Sequence, residues 1–213
     1  MTKMPGGFDW IAPYYDSLAR LVFGDSIRRC QIEYLDEIPP GSKVLILGGG
    51  TGWLLAEIMK ANPTCTVWYV ESSIKMLEIA KARFSDLSNA EILFIHGTEK
   101  NLQQYNDTYF DAVITNFYFD VFTSSSLDEA MTYIQKCVYP GSKLLVSDFV
   151  DRSWWQRFLL FLMYRFFRWT CAIEARNLPD WQRQLERAGF TQRSTTSFYG
   201  GFIKTSVHVF EEK

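Results

Sequence analysis

Through the first 150 residues, short apolar runs alternate with segments whose apolar positions recur every three or four residues, which is how a parallel sheet covered by helices reads in sequence. The runs predict strands over 43–48, 65–71, 91–95, 110–116 and 142–149. Between them, 53–61, 73–84 and 125–138 carry residues such as Met76, Leu77 and Ala80 at helical spacing, so each predicts an amphipathic helix. Pro39-Pro40-Gly41 and Pro140-Gly141 punctuate the entries to the first and fifth strands, because proline ends whatever ladder or helix precedes it. Residues 8–38 precede the sheet and predict one or two helices placed to act as a lid. Past the fifth strand, Leu185 to Phe190 predicts a helix closing at Gly189, followed by strands near 190–198 and 203–210 joined around Gly200-Gly201.

One stretch breaks this rhythm. From Trp154 to Trp169 only Gln156, Arg157, Arg165 and Arg168 are plainly polar, and at about 100° per residue the three arginines share a narrow stripe. Three readings stand for this helix: packing against the core, lining an apolar acceptor pocket, or lying in a lipid interface with its arginines at the headgroups. The first two outweigh the third, so contact with a membrane surface is the least favoured of them.

Composition narrows the classes. At 213 residues and 24.8 kDa the chain fits one domain spanning 1–213, with lid helices over 8–38 and an aromatic helical insertion over 151–178. Hydrophobic residues at 47% suffice for a core. The net charge of −2, with both signs mixed throughout, supplies no basic field for a phosphate backbone and excludes nucleic acid as the main partner. Cys30, Cys65, Cys137 and Cys171 lack metal-ligand or redox-motif spacing, so buried reduced thiols and no metal site are expected. The start, MTKMPGGFDW, has no apolar h-region, and no run approaches the ~18 apolar residues of a membrane span. A cytoplasmic enzyme is the expectation. Nothing in the pattern speaks to oligomeric state.

The chemistry concentrates after the first strand. Val44-Leu45-Ile46-Leu47 runs into Gly48-Gly49-Gly50-Thr51-Gly52 and then into a helix, an arrangement that puts a ligand at the carboxyl edge of a parallel sheet. The dinucleotide fingerprint needs a small residue three places after its second glycine, and Trp53 occupies that place, which argues against NAD. Glu71 ends the second strand, where a carboxylate can accept hydrogen bonds from both ribose hydroxyls of an adenosine. Each feature has a plain structural alternative, a tight turn for the glycines and a helix-capping acid for Glu71. Together they point to an adenosine-bearing ligand.

With these residues in view, the sequence resembles the class I S-adenosylmethionine-dependent methyltransferases, from about Phe8 to Phe210. VLILGGGTG (44–52) looks like the family's first motif, Glu71-Ser72-Ser73 with Met76-Leu77 its second, FIHGTE (94–99) its third, FDAVITNF (110–117) its fourth and YPGSKLLV (139–146) its fifth. FDWIAPYYD (8–16) is similar to the N-terminal helix that covers the cofactor in the small-molecule branch. The resemblance implies an α/β fold with a seven-stranded, mostly parallel sheet, helices on both faces and an antiparallel last strand. It implies S-adenosylmethionine held by Tyr15, Gly48, Gly49, Gly50, Thr51, Gly52, Glu71, Ser72, Met76, Gly97, Thr98, Asn116 and Phe117, with the Met76 side chain against adenine. Ile46 and Thr98 depart from the pattern, each standing where the family usually has an acid.

The implied reaction is in-line methyl transfer to a small, apolar acceptor, which needs alignment more than a nucleophile. No catalytic residue is assigned by sequence. Asp120 and Asp148 are the acids near the acceptor edge, His96 is expected to pack beside the cofactor, and His208 to be structural. The alternative is a methyltransferase-like partner subunit without activity, suggested by Ile46 and Thr98. An NAD-dependent oxidoreductase is disfavoured by Trp53.

Overall fold

The computed structural model describes residues 7–85, 91–105, 107–171, 173 and 175–211. The expectation for the chain's first six residues, and positions 172 and 174 of the aromatic insertion, lie outside the described residues.

Seven strands form one sheet: β1 (Lys43–Leu47), β2 (Thr66–Glu71), β3 (Ile92–His96), β4 (Ala112–Asn116), β5 (Lys143–Phe149), β6 (Phe190–Phe198) and β7 (Ile203–Phe210). Their order is β3-β2-β1-β4-β5-β7-β6. β1 to β5 pair in parallel, while β7 runs antiparallel to both β5 and β6, so the last strand alone is reversed, as the resemblance implied. The chain builds outward from β1 to β3 and then returns to the other side of β1 with β4. That reversal opens a crevice at the carboxyl ends of β1 and β4.

The alternation of side chains along β1 explains the layering. Val44 and Ile46 join a core with Leu54, Leu55 and Ile58 of α3 (Trp53–Ala61) and Leu77 and Ala80 of α4 (Ile74–Arg83). Leu45 and Leu47 face the opposite core, with Leu127, Met131 and Ile134 of α5 (Ser124–Lys136) and Trp181 and Leu185 of α7 (Trp181–Arg187). Helix α7 starts four residues before the expected Leu185, because Asp180 caps it by accepting from the Arg183 amide. The helix closes at Arg187, just before Gly189, and Phe190 opens β6 over the expected 190–198.

A third cluster lies beyond the end of β5. Here α1 (Tyr15–Phe23) and α2 (Ser26–Ile32), the helices expected over 8–38, meet α6 (Trp154–Thr170) and the β6–β7 turn. Phe23, Phe149, Tyr164 and Phe202 form its aromatic centre. The hydroxyls of Ser147 on β5 and Thr205 on β7 both donate to the Cys30 carbonyl at 3.1 Å, which ties the end of α2 to the sheet. Among the described residues no helix is long and apolar enough to cross a membrane.

Candidate functional site

The crevice is lined by the glycine turn. The φ of Gly50 is +66°, a conformation that favours glycine, and a Cβ built there would meet nothing within 4 Å, so this residue borders open space. A Cβ on Gly49 would stand 2.2 Å from the Tyr69 ring, so that glycine is required by packing. The Gly50 amide donates to Glu71 Oε2 at 2.8 Å and its carbonyl accepts from the Tyr69 hydroxyl at 2.8 Å, which fixes the turn against β2. Glu71 Oε1 accepts from the Ser73 amide at 2.7 Å. The carboxylate keeps lone pairs for further donors. Burial raises its pKa, partly offset by the amides of Ser73 and Gly50.

A segment leading into α1 closes over this crevice through two aspartates. Asp9 accepts from the Ser73 hydroxyl at 2.6 Å, and Asp16 accepts from the Thr51 hydroxyl and from Arg83 Nη2 at 2.9 Å. Under this cover lies a cavity of about 160 Å³, lined by Gly48, Gly49, Gly50, Thr51, Glu71, Ser72, Met76, Asn116 and Phe117, with Tyr15 above them. Two groups in the lining stand ready for a ligand. Asn116 Nδ2 is a buried donor without a partner among the described residues, and the Arg28 guanidinium lies 4.9 Å over the Trp53 ring without an ion pair among them.

A second cavity of about 300 Å³ adjoins the first, sharing Phe8, Tyr15, Ala19, Ile27, Phe117 and Val121 with it. Its remaining walls are apolar side chains of α1 and α6, among them Leu18, Leu159, Met163 and Phe167, with Phe149 of β5, and its one carboxyl is Asp120. Phe117, in the dividing wall, has a φ of +51°, a left-handed conformation uncommon outside glycine. Asp120 sits in a 3₁₀ turn over Phe119–Val121, and its Oδ1 is buried without a hydrogen-bond partner among the described residues. Burial pushes Asp120 up to about 7. Asp148, whose oxygens accept from the Phe119 and Phe149 amides at 2.9 and 2.8 Å, is driven well above the ordinary carboxylate range by burial and then by the Asp120 charge. Burial thus drives both carboxyls toward their neutral forms, and the charge of Asp120 adds to the push on Asp148. Burial, with the charge of Asp120 next, also keeps Tyr15 protonated.

Of the expected binding residues, ten line the glycine-walled cavity and three do not. Gly52 packs against Ala80 of α4, and Gly97 packs against Asn101. Thr98 is exposed, and its amide and hydroxyl are taken by Asn101 and the Lys100 amide. His96 bonds the Ser72 carbonyl at 3.0 Å from an exposed position outside the lining. His208 is buried in β7 against the Ser206 hydroxyl. Residues that sequence reasoning passed over are Asp16, Arg28 and Gln31, whose presence in the lining depends on how the N-terminal helices dock; the Asp16 that ended the N-terminal motif was the one available signal. Ile46, at 2% exposure, is part of the cavity wall where the family usually has an acid. Among the described residues no cluster of His, Cys, Asp and Glu could hold a metal ion.

Helix α6 is not buried all round. Leu160 and Tyr164 face inward, while Trp154 and Trp169 are 78% and 80% exposed, which removes the reading of this helix as core alone. Leu159, Met163 and Phe167 line the apolar cavity, in keeping with the pocket-lining reading.

Comparison with known proteins adds to this geometry. A family described as "Methyltransferase domain" matches residues 44–141. The ubiquinone/menaquinone biosynthesis C-methyltransferase UbiE of Cupriavidus metallidurans is 29% identical over 150 residues, and that of Cupriavidus pinatubonensis is 30% identical. The aligned region is 69% of this chain and 60% of each relative, so the chain spans about three-fifths of the length of these proteins. Among solved structures, a chain from the Haloferax volcanii complex of the Trm112 activator with a methyltransferase superposes with a TM-score of 0.71 at 14% identity, covering 99% of this chain and 100% of that one. A SAM-dependent methyltransferase from Aquifex aeolicus superposes at 0.62 with 15% identity, covering 94% and 97%.

Proposed function

We propose that the chain is a class I S-adenosylmethionine-dependent methyltransferase, which binds S-adenosylmethionine in the glycine-lined cavity and methylates an apolar acceptor held in the adjoining one. The observation that carries this reading is the pair of cavities sharing one wall, the first with donors and acceptors for a nucleoside amino acid, the second apolar with one buried carboxyl.

The residues present suit the cofactor. Glu71 offers lone pairs to a ribose diol, Met76 an apolar surface to a base, Asn116 Nδ2 a free donor and Arg28 a countercharge for a carboxylate. When bound, the cofactor supplies a methyl group on a sulfonium, whose bonding pair leaves with sulfur. The chain's own contribution is alignment, since the shared wall of Tyr15 and Phe117 fixes where the two ligands meet. Asp120 in its ionised form accepts the acceptor's O–H, N–H or activated C–H proton, an effect worth typically about 10²–10⁴-fold. The apolar walls exclude water and select an acceptor with a hydrophobic body, consistent with relatives named for quinone biosynthesis.

Titration calorimetry with S-adenosylhomocysteine should give saturable binding in the micromolar range. Labelled S-adenosylmethionine supplied with an apolar extract should then yield a labelled, organic-soluble product. Absence of binding at millimolar S-adenosylhomocysteine would overturn the reading in favour of a partner subunit without activity.

A further inference from the structure

Helix α6 turns a broad aromatic side outward. At 100° per residue, Phe161, Trp154, Phe158, Trp169 and Leu162 share one sector of about 100°, with Arg165 among them, and each is exposed. Burying them against the protein was the ordinary solution for such a helix, yet Leu160, Tyr164 and Gln156 take the inward side. An exposed sector this rich in large aromatic side chains marks a surface that meets an apolar partner.

Charge beside the sector says what that partner is. Arg157 and Arg168 flank it, Arg165 lies within it, and together with Arg176 they line a cleft of about 540 Å³ that also holds Asp151. None of these four arginines forms an ion pair among the described residues. Tryptophans at both ends of an apolar face, with arginines along its edge, match the layering of a bilayer interface, where indole rings sit at headgroup depth and guanidinium groups meet phosphate.

The mouth of the apolar cavity opens on the same side. Val22 of α1 and Leu162 and Phe166 of α6 line that cavity and are themselves exposed, so its entrance runs between the two helices, next to the aromatic sector.

We propose that the outward face of α6, with its arginine flank, docks this protein on a bilayer leaflet carrying anionic phospholipid. In that pose the cavity mouth faces the lipid, and an apolar molecule dissolved in the leaflet enters without crossing water. The docking itself stands on the helix face and its charges. The route of entry alone rests on the proposed function.

The test is flotation of the purified chain with vesicles of phosphatidylcholine alone or mixed with phosphatidylglycerol. Partitioning onto the mixed vesicles should exceed that onto phosphatidylcholine at least tenfold, and should fall at high salt. Trp154→Ser/Phe158→Ser/Trp169→Ser and Arg157→Glu/Arg168→Glu should each lower it at least tenfold with unchanged circular dichroism, none of these five side chains lining either ligand cavity. Brominated lipid should quench Trp154 and Trp169 in the wild type, read as the difference from Trp154→Phe/Trp169→Phe, while Trp181, at 2% exposure, remains unquenched. A folded protein that stays with the aqueous phase, or variants that float like wild type, would overturn the proposal. So would a dimer in light scattering that the serine variant dissociates, since the face would then belong to a second copy. Calorimetry with S-adenosylhomocysteine without vesicles keeps failure of docking apart from failure of the methyltransferase reading.

Discussion

The Thr51 hydroxyl lies 2.9 and 2.8 Å from the two carboxylate oxygens of Asp16, joining the glycine turn to a helix that precedes it by 35 residues in the chain. Arg83 of α4 meets the same carboxylate at 2.9 Å. One side chain of the cover thus holds two walls of the crevice. Asp16→Ala removes both contacts and should weaken closure by about 1–3 kcal/mol, the usual size for hydrogen bonds to a charged group. Stopped-flow release of S-adenosylhomocysteine should speed up about tenfold or more. An unchanged release rate would show that the latch does not govern retention.

Two adjacent glycines should respond differently to the same substitution. Gly49→Ala drives a methyl group into the Tyr69 ring and should cost enough stability to lower the yield of folded protein. Gly50→Ala meets open space and suffers only the left-handed strain of about 1–2 kcal/mol, but it adds a methyl group to the lining of the proposed cofactor cavity. It should fold, melt slightly lower, and bind S-adenosylhomocysteine at least tenfold more weakly. Equal binding by Gly50→Ala and wild type would remove this turn from the cofactor site.

Asp120 makes activity and stability oppose each other in pH. A base must be ionised, so kcat/KM should rise with pH through about 7. The folded-state pKa lies above the unfolded value of about 3.9, so the folded chain binds the extra proton between the two. That contribution is complete at acid pH and is lost as pH rises through about 7. The groups facing this carboxyl are Asp148 on β5, Tyr15 on α1 and Tyr164 on α6, whose hydroxyl donates to the Asp120 carbonyl. Asp120→Asn should abolish the rise in kcat/KM and increase the melting temperature at pH 8. If the variant keeps the wild-type profile, another group is the base.

His208 acts on the acid side. Burial, and then the charge of Lys204, lowers its pKa to about 4, so the imidazole is neutral in the folded chain and must desolvate a charge if protonated there. Its contribution to stability is complete above about pH 6.5 and is lost as pH falls toward 4. Urea midpoints of His208→Gln should fall less steeply across that window than those of wild type. Parallel slopes would mean that another group dominates acid unfolding.

Much of the sheet was legible because its signals are local. Each of β1 to β5 is a short apolar run, and the glycines and Glu71 sit at strand ends fixed by those runs, so the floor of the cavity follows from the order of residues. The boundary of α7 was missed by four residues because Asp180 resembles any loop acid until its carboxylate meets the Arg183 amide. Thr98 was read into the site from motif position, yet the turn around Asn101 takes up its polar groups at the surface.

What the sequence by itself determined is the doubly wound frame and the place of the glycine turn at its switch point, because period-2 and period-3.6 patterns and a glycine turn are written in neighbouring residues. Tertiary structure alone decided that Asp16 reaches Thr51, that Asp120 and Asp148 share a buried environment, and that α6 turns its aromatic side to solvent. Each of these depends on which of two helix faces meets the sheet. When a helix is apolar on most of its circumference, as α6 is, periodicity does not select the face, and only the competing demands of packing do.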